Sequence, residues 1–442
     1  MALSTQPYKG ARDFYPEDKR VQKHVFNVLR RVVESFGYQE YDAPIIEPIE
    51  LYLSKTSEEI VVEQTFVFTD RGGRTVTLRP EMTPTVSRMV AAKRQELAYP
   101  LRWYSIPNLW RYERPQAGRL REHWQLNVDI FGVAGIEADH EIILIADKIL
   151  KAFDAKPENY TIKVNSRQLL NWFFLDSFRL DHSQIQPLAR LIDKKDKLAE
   201  KEFKDAAQAI LSPAQQEAGV LSQLEELLKV KTLGELPLVV QQHPAAKQLQ
   251  HLMTLLMASG VQSAIFDPSL MRGFDYYTDI VFEVFDNNPD NNRSMFGGGR
   301  YDGLVSAFGV EAVPTVGFGM GDVTLQAFLE GHKLLPSFEP ETDATAILIG
   351  DVYEAAQKTL AMLRQEGLRL AVDSTGRKVD TQIKSAAKAG IPYVIFIGEH
   401  ELDSQRFKLK DLRSGEEKEL SMERMVSTLA ARHRQHEADD LE

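Results

Sequence analysis

Between residues 101 and 133 the chain gathers side chains suited to handling anions. In EHWQLNVDIFGV, His123, Gln125, Asn127 and Asp129 recur at every second position, and Trp124, Leu126, Val128 and Ile130 fill the alternate ones. In a strand, that alternation puts the polar set on one face and the apolar set on the other. Two readings follow: an ordinary amphipathic strand with its polar face in water, or a polar face lining a substrate pocket over a hydrophobic support. The preceding RYERPQAGRLRE carries Arg111, Arg114, Arg119 and Arg121 with Glu113 and Glu122. Guanidinium forks match phosphate oxygens bidentately, and a carboxylate orients an arginine or accepts from an adenine amino group. The chemistry would be phosphate and nucleotide binding; the plain alternative is a solvated charge run. Further on, Gly297, Gly298 and Gly299 permit either a close backbone approach or a tight turn.

These residues need elements to hold them. LRWYSIPNLWRYERP and EHWQLNVDIFGV, separated by a turn around Gly118, predict a long antiparallel hairpin with a large charged loop. Ahead of it, Val21, Val25, Leu29, Val32, Val33 and Phe36 recur every three or four residues, which predicts a helix from Pro16 to Gly37. GYQEYDAPIIEP then reads as extended and TVTLRP alternates, while residues 137–153 follow the hairpin as a helix. Residues from about 166 to 260 are polar and helical in pattern, an inserted subdomain or plain scaffold with a solvated face. Strand and glycine signals return in SLMRGFDYYTDIVFEVF, FGGGRYDGLVSAFG and PTVGFGMG, before a helix near 323–330. From Ala344, short apolar runs alternate with helical ones, which suggests a small α/β domain. The last dozen residues are charged and are expected to fray.

The 442-residue length suggests two or three domains, and 43% hydrophobic with 26% charged residues is ordinary for a globular enzyme. There is no cysteine, which excludes disulfides, thiolate metal sites and a cysteine nucleophile. No His-x-x-x-His pair invites a helical metal site, so no protein-held metal is expected. The N-terminus has no apolar h-region, and no apolar run approaches about 18 residues, so the expectation is a cytoplasmic protein without membrane spans. The net charge of -11 argues mildly against a nucleic-acid partner, but local basic patches govern phosphate contact.

TLRPEMT followed by RYERPQAGRLREHWQLNVDIFG resembles motif 2 of class II aminoacyl-tRNA synthetases in its histidine-specific form. MRGFDYYTDIVFEVF and FGGGRYDGL resemble the two signatures of histidyl-tRNA synthetases. The helix ending near Gly37 with the strand to Pro44 resembles motif 1, and VGFGMG resembles the start of motif 3. The C-terminal stretch with DSTGRKVDTQIKSAAKAG resembles that family's anticodon-binding domain. The ordered set covers nearly the whole chain.

This resemblance implies an α+β protein: a class II antiparallel sheet flanked by helices, a helical insertion, and a C-terminal α/β anticodon-binding domain. The expected bounds are 1–330 for the catalytic domain with its insertion at about 166–260, 331–342 for a linker, 343–432 for the anticodon-binding domain and 433–442 for a charged tail. It implies ligation of L-histidine to tRNA(His) through a histidyl-adenylate, with ATP as substrate, Mg2+ on its phosphates, and a homodimer paired through motif 1. By the matching positions, Glu81 and Thr83 hold the substrate α-amino group, Arg111 and Arg272 bind the α-phosphate, and Glu113 and Arg119 meet adenine and the distal phosphates. Gln125, Asp129, Tyr276, Tyr277 and Tyr301 enclose the histidine side chain, and Arg377, Lys378 and Lys384 offer tRNA phosphate contacts. The chain departs from the pattern at Thr324, where motif 3 has an arginine, with Asp322 just before it, and at Met82, where glycine is commoner. The rival implication is a non-catalytic, histidine-sensing regulatory subunit of ATP phosphoribosyltransferase, which shares the catalytic fold but typically lacks the anticodon-binding domain.

Overall fold

The computed structural model describes residues 3–53, 64–113, 118–195, 198–271, 277–291 and 293–439, with side chains through 430. The chain divides into two units, Met1–Leu335 and Pro336–Glu442.

The first unit is organised by a mixed sheet. Its strands are β1 (Gln39–Glu40), β5 (Leu101–Ser105), β6 (Asn108–Trp110), β7 (Glu122–Phe131), β8 (Tyr160–Ser166), β9 (Ala264–Phe266), β10 (Ile280–Asp286), β11 (Ser294–Arg300) and β12 (Thr315–Gly321). They lie in the order β1-β5-β7-β12-β11-β10-β8-β9, with β6 pairing the start of β7. Pairing is antiparallel except at the two ends, where β1 runs parallel to β5 and β9 parallel to β8. A second, antiparallel sheet joins β2 (Ile46–Pro48), β4 (Thr75–Leu78) and β3 (Phe66–Thr69).

One face of the large sheet is core. Leu126, Val128 and Ile130 of β7, Val316, Phe318 and Met320 of β12 and Phe282 of β10 are all buried in one cluster. Helix Ile136–Lys151 packs on β7 and β12 with ten of its residues buried. Helix Pro16–Ser35 packs on that helix in turn, through Val25, Leu29 and Val33. Proline opens it, and Gly37 at φ 81 ends it, since a residue with a Cβ is strained there. Truncating a buried leucine such as Leu29 to alanine costs about 2–5 kcal/mol.

Among the described residues, nine helical segments lie in the interval between β8 and β9, from Arg167 to Ala258. They form a crossover: β8 and β9 are parallel, so the chain must return to the starting end of the sheet before β9 begins. The returning helix, Pro244–Ala258, packs on Ile136–Lys151. Leu188, Ile192, Phe203, Leu224 and Leu252 from this stretch are continuous with the sheet's own core.

The second unit has its own sheet, ordered β14 (Leu370–Asp373), β13 (Ala344–Leu348), β15 (Tyr393–Ile397), β16 (Arg406–Asp411) and β17 (Glu417–Ser421). The first three are parallel, and β16 and β17 complete it antiparallel. Each face has a separate apolar cluster, one with Leu360, Leu363, Met425 and Leu429 and the other with Ile347, Ala386 and Phe396. The last helix runs Met422–Asp439, so most of the charged end from 433 continues a helix. Among the described residues no helix is long and apolar enough to cross a membrane.

Candidate active site

The other face of the large sheet is polar and is hollowed by glycines. Register sets Asp129 opposite Gly317, Asn127 opposite Gly319 and Gln125 opposite Gly321. On the next strand Gly299 faces Gly317 and Gly297 faces Gly319. Side chains on one strand face point the same way at period two, so Gln125, Asn127 and Asp129 stand along a floor without side chains. A Cβ at Gly317 would overlap the Asp129 carboxylate, and one at Gly319 would overlap the Gln125 amide. The glycines therefore make room for these two side chains to lie across the sheet. Asn127 and Asp129 are buried and Gln125 is half-buried. The polar row from Gln125 to Asp129 is thus not a solvated face.

Asp129 accepts a hydrogen bond from the Tyr301 hydroxyl. Burial pushes the Asp129 carboxyl up to about 7, against the opposing pull of that hydrogen bond. The Tyr277 ring lies 6.4 Å from the Tyr301 ring. Gln125 Nε2 donates to Asn127 Oδ1 at 2.6 Å, and Asn127 Nδ2 donates to the Gln125 carbonyl at 3.1 Å.

Toward the hairpin loop the floor opens into a cavity of about 260 Å³. Arg111, Glu113, Arg119, His123 and Gln125 line it on the hairpin side, and Glu283, Ser294, Met295 and Thr324 on the other. Arg119 pairs with Glu113 at 3.6 Å, with Arg119 largely exposed and Glu113 covered. Burial, reinforced by the nearby Arg111 and Arg12 cations, pushes His123 down to about 3, so its ring is neutral at physiological pH. Arg111 Nε donates to the Pro80 carbonyl at 2.8 Å, which ties the hairpin to the segment that carries Glu81 and Thr83. Arg79, buried just before, donates to the carbonyls of Ala43 and Asn108 at 2.6 and 3.1 Å and so fixes the same segment. Glu81 is buried, and Thr83 opens the helix Thr83–Ala92.

The N-terminal strand-like segment braces this end of the site. The Gly10 carbonyl accepts from the backbone N–H of Arg121 and Glu122 at 2.9 and 3.2 Å. Arg12 pairs with Asp322 at 2.6 Å, and Asp322 also accepts from the Trp124 N–H at 2.9 Å. Asp322 is thus a brace between β7 and the helix Asp322–Gly331. Thr324 donates its hydroxyl to the carbonyls of Met295 and Gly321, at 2.8 and 3.1 Å. Its proton is committed to the backbone.

Of the residues expected in the site, Arg111, Glu113, Arg119 and Gln125 line the cavity, and Asp129, Tyr277 and Tyr301 cluster farther along the same face. Arg272 and Tyr276 lie outside the described residues, as does Arg114. Arg300, adjacent to Tyr301, faces the opposite way: it is buried against Asp139 and the Val133 and Gly135 carbonyls. His123, Glu283 and Ser294 line the cavity without having been assigned to it. A sequence signal for Glu283 exists, a lone acid inside the apolar run IVFEVF.

A glycine-floored polar sheet face, an arginine-walled cavity and a second α/β unit together define a synthetase of the antiparallel-sheet class. Residues 10–323 match the family profile described as histidyl-tRNA synthetase, and residues 344–432 match one described as an anticodon binding domain. The chain belongs to the histidyl-tRNA synthetase family. A histidine--tRNA ligase of Leptospira biflexa is 43% identical over 416 residues, covering 93% of this chain and 94% of that one. One from Haloarcula marismortui is 37% identical, covering 92% and 94%. Among solved structures, a histidyl-tRNA synthetase from Nostoc shares the fold with a TM-score of 0.81 at 22% identity, over 98% of this chain and 100% of that one. A Bacillus halodurans structure described as an ATP phosphoribosyltransferase regulatory subunit/histidyl-tRNA synthetase gives 0.73 at 22% identity, over 90% and 100%.

Proposed function

We propose that this protein activates L-histidine with ATP and transfers it to tRNA(His). The observation that carries the reading is the placement, on one glycine-floored sheet face, of a buried acceptor pair and an arginine-walled cavity. Asp129 and Tyr301 suit an imidazole N–H, and Arg111 suits a phosphate. The substrate carboxylate attacks the α-phosphorus, the bond to the bridging oxygen breaks, and pyrophosphate leaves. Negative charge grows on the non-bridging oxygens. Arg111, held by the Pro80 carbonyl, stabilises that charge without reorganising, and Arg272 is the second guanidinium the reaction calls on. Glu81 and Thr83 orient the substrate ammonium, and Glu113 with Arg119 meets the adenine and the distal phosphates. Gln125, Tyr276 and Tyr277 complete the histidine pocket. Catalysis is otherwise alignment. Magnesium enters with the β- and γ-phosphates as part of the nucleotide substrate.

We read the protein as a cytoplasmic homodimer paired through the motif 1 segment, just after which Ile45 and Ile46 are exposed. The second unit, with Arg377, Lys378 and Lys384 on its surface, is read as the anticodon contact. The anticodon-binding match and the retained Arg111 favour this reading over the regulatory subunit. Histidine-dependent ATP–pyrophosphate exchange tests it. Exchange that requires histidine and collapses in Arg111→Ala and Arg272→Ala is expected. A folded, histidine-binding protein without exchange would instead be the regulatory type.

A further inference from the structure

The connection from β9 to β10 passes over the end of a third strand. β8 lies between them, with β9 parallel on one side and β10 antiparallel on the other. β9 stops at Phe266, opposite Val164, and β10 starts at Ile280, opposite Ser166. Residues 267–279 must therefore cross the last residues of β8, a gap of two strand spacings, about 10 Å. Four successive residues of β8 hold that crossing. Lys163 pairs with Asp267 at 2.8 Å, and the Val164 carbonyl accepts from the Asp267 N–H at 3.1 Å. Asn165 Nδ2 donates to the Leu270 carbonyl at 3.2 Å, and the Ser166 hydroxyl donates to the Asp279 carboxylate at 2.7 Å. The two are tied to each other as well, since Asn165 Oδ1 accepts from the Ser166 N–H at 2.8 Å. Asn165 and Ser166 are fully buried and Asp279 nearly so. Burying polar side chains at a strand end costs free energy unless they are paired, and these two are paired to both ends of the crossing.

The crossing delivers Tyr277 to the polar face. A Cβ on Gly299 would stand 3.0 Å from Tyr277 Cδ1, so the tyrosine ring lies over that glycine. Register continues the row from Gly299 through Gly317 to Asp129. The Tyr277 ring is 6.4 Å from that of Tyr301, whose hydroxyl donates to Asp129. Directly after it, the Thr278 N–H donates to the Arg300 carbonyl at 2.7 Å. We propose that Asn165 and Ser166 are positioning residues for histidine binding. They touch no substrate. By pinning the chain at Leu270 and at Asp279 they fix where Tyr277 stands against Tyr301 and Asp129.

The proposal rests on reading this face as the histidine pocket of a ligase, and its test separates the two. Histidine affinity is measured by calorimetry without ATP on the full chain. The proteins are the wild type, Asn165→Asp, Asn165→Ala and Ser166→Ala, each also combined with Tyr277→Ala. Asn165→Asp is nearly isosteric and keeps the acceptor for the Ser166 N–H, but it sets an acceptor against the Leu270 carbonyl. Misplacing a binding group by about 1 Å costs up to about hundredfold, so each single variant should weaken histidine binding by about ten- to hundredfold. With Tyr277→Ala already present, the same changes should cost about twofold or less, because effects that act through one side chain do not add. In pyrophosphate exchange the single variants should raise KM for histidine and leave KM for ATP in place. Losses of equal size in both backgrounds would make Asn165 and Ser166 supports of the fold alone and would overturn the proposal. Undiminished affinity in the Asn165 variants would overturn it too. Should Ser166→Ala or Asn165→Ala fail to fold by circular dichroism, Asn165→Asp carries the comparison. A wild type that binds histidine without exchange removes the ligase reading and leaves the positioning result standing, whereas one that binds no histidine removes both.

Discussion

Asp129 shows what a single residue in this site must do. It is a carboxyl held at about 7 by burial, so near neutrality it is divided between a form that accepts and a form that donates. Its folded-state value lies above the ordinary carboxylate range near 4, so the unfolded chain gives up this proton first. Stability from this group therefore falls as pH rises from about 4 to about 7 and is level above that. Histidine binding should run the other way, because the ionised form is the better acceptor for an imidazole N–H. Affinity for histidine, followed by calorimetry from pH 6 to 8, is expected to rise with pH beyond what the ligand's own titration explains. Asp129→Asn should remove that excess and weaken binding by about ten- to hundredfold. An unchanged pH profile in the variant would remove Asp129 from imidazole recognition. Gly317→Ala should have a similar effect on KM for histidine, because its Cβ would overlap the Asp129 carboxylate. The polar row His123 to Asp129 was legible from period two alone. The glycines opposite Gln125, Asn127 and Asp129 were not, since cross-strand register joins residues nearly 190 positions apart in sequence, as for Asp129 and Gly317.

At the scale of elements, the signature FGGGRYDGL divides its labour by strand alternation. The glycines of β11 clear the site face, Arg300 turns to the core face, and Tyr301, just beyond the strand, returns to the site. Arg300 and Asp139 are a buried ion pair that fixes the start of helix Ile136–Lys151 to the sheet. Removing one partner strands the other, and Arg300→Ala is expected to cost about 3–5 kcal/mol, read as a lower urea midpoint by circular dichroism. A loss below about 1 kcal/mol would mean that the pair is not a brace. Most elements could be read from pattern: the opening helix, the hairpin and the alternating elements of the second unit. Their apolar spacing is local, and packing agrees with it. β17, EKELS, was not readable, because four of its five side chains are polar and its pairing with β16 supplies what its composition lacks. The role of the helices from Arg167 to Ala258 as a parallel crossover was equally hidden. It depends on β9, a three-residue strand, pairing with β8 about a hundred residues earlier.

At the scale of the whole molecule, the two units have separate cores. On the proposed reading, amino-acid activation draws on residues of the first unit and tRNA recognition also on the second, despite a net charge of -11 on the chain. That sum conceals local detail on the anticodon-binding match. Arg377, Lys378 and Lys384 are exposed at the start and along the side of helix Val379–Lys388. Arg377 is partly held by Asp373 at 3.1 Å and by the Thr375 hydroxyl at 2.8 Å. That pairing orients the guanidinium in advance but lowers the gain from a phosphate contact, because Asp373 competes for it. Replacing all three with alanine should leave histidine-dependent pyrophosphate exchange untouched while raising KM for tRNA in aminoacylation. Each phosphate contact to a single strand contributes about 0.7 to the slope of log affinity against log salt, so the triple variant should bind tRNA with a slope shallower by about 2. A smaller change, near 1.4, would assign the contacts to Lys378 and Lys384 and leave Arg377 with Asp373. An unchanged slope would make all three a solvated helix face and move the anticodon contact to another surface of the unit.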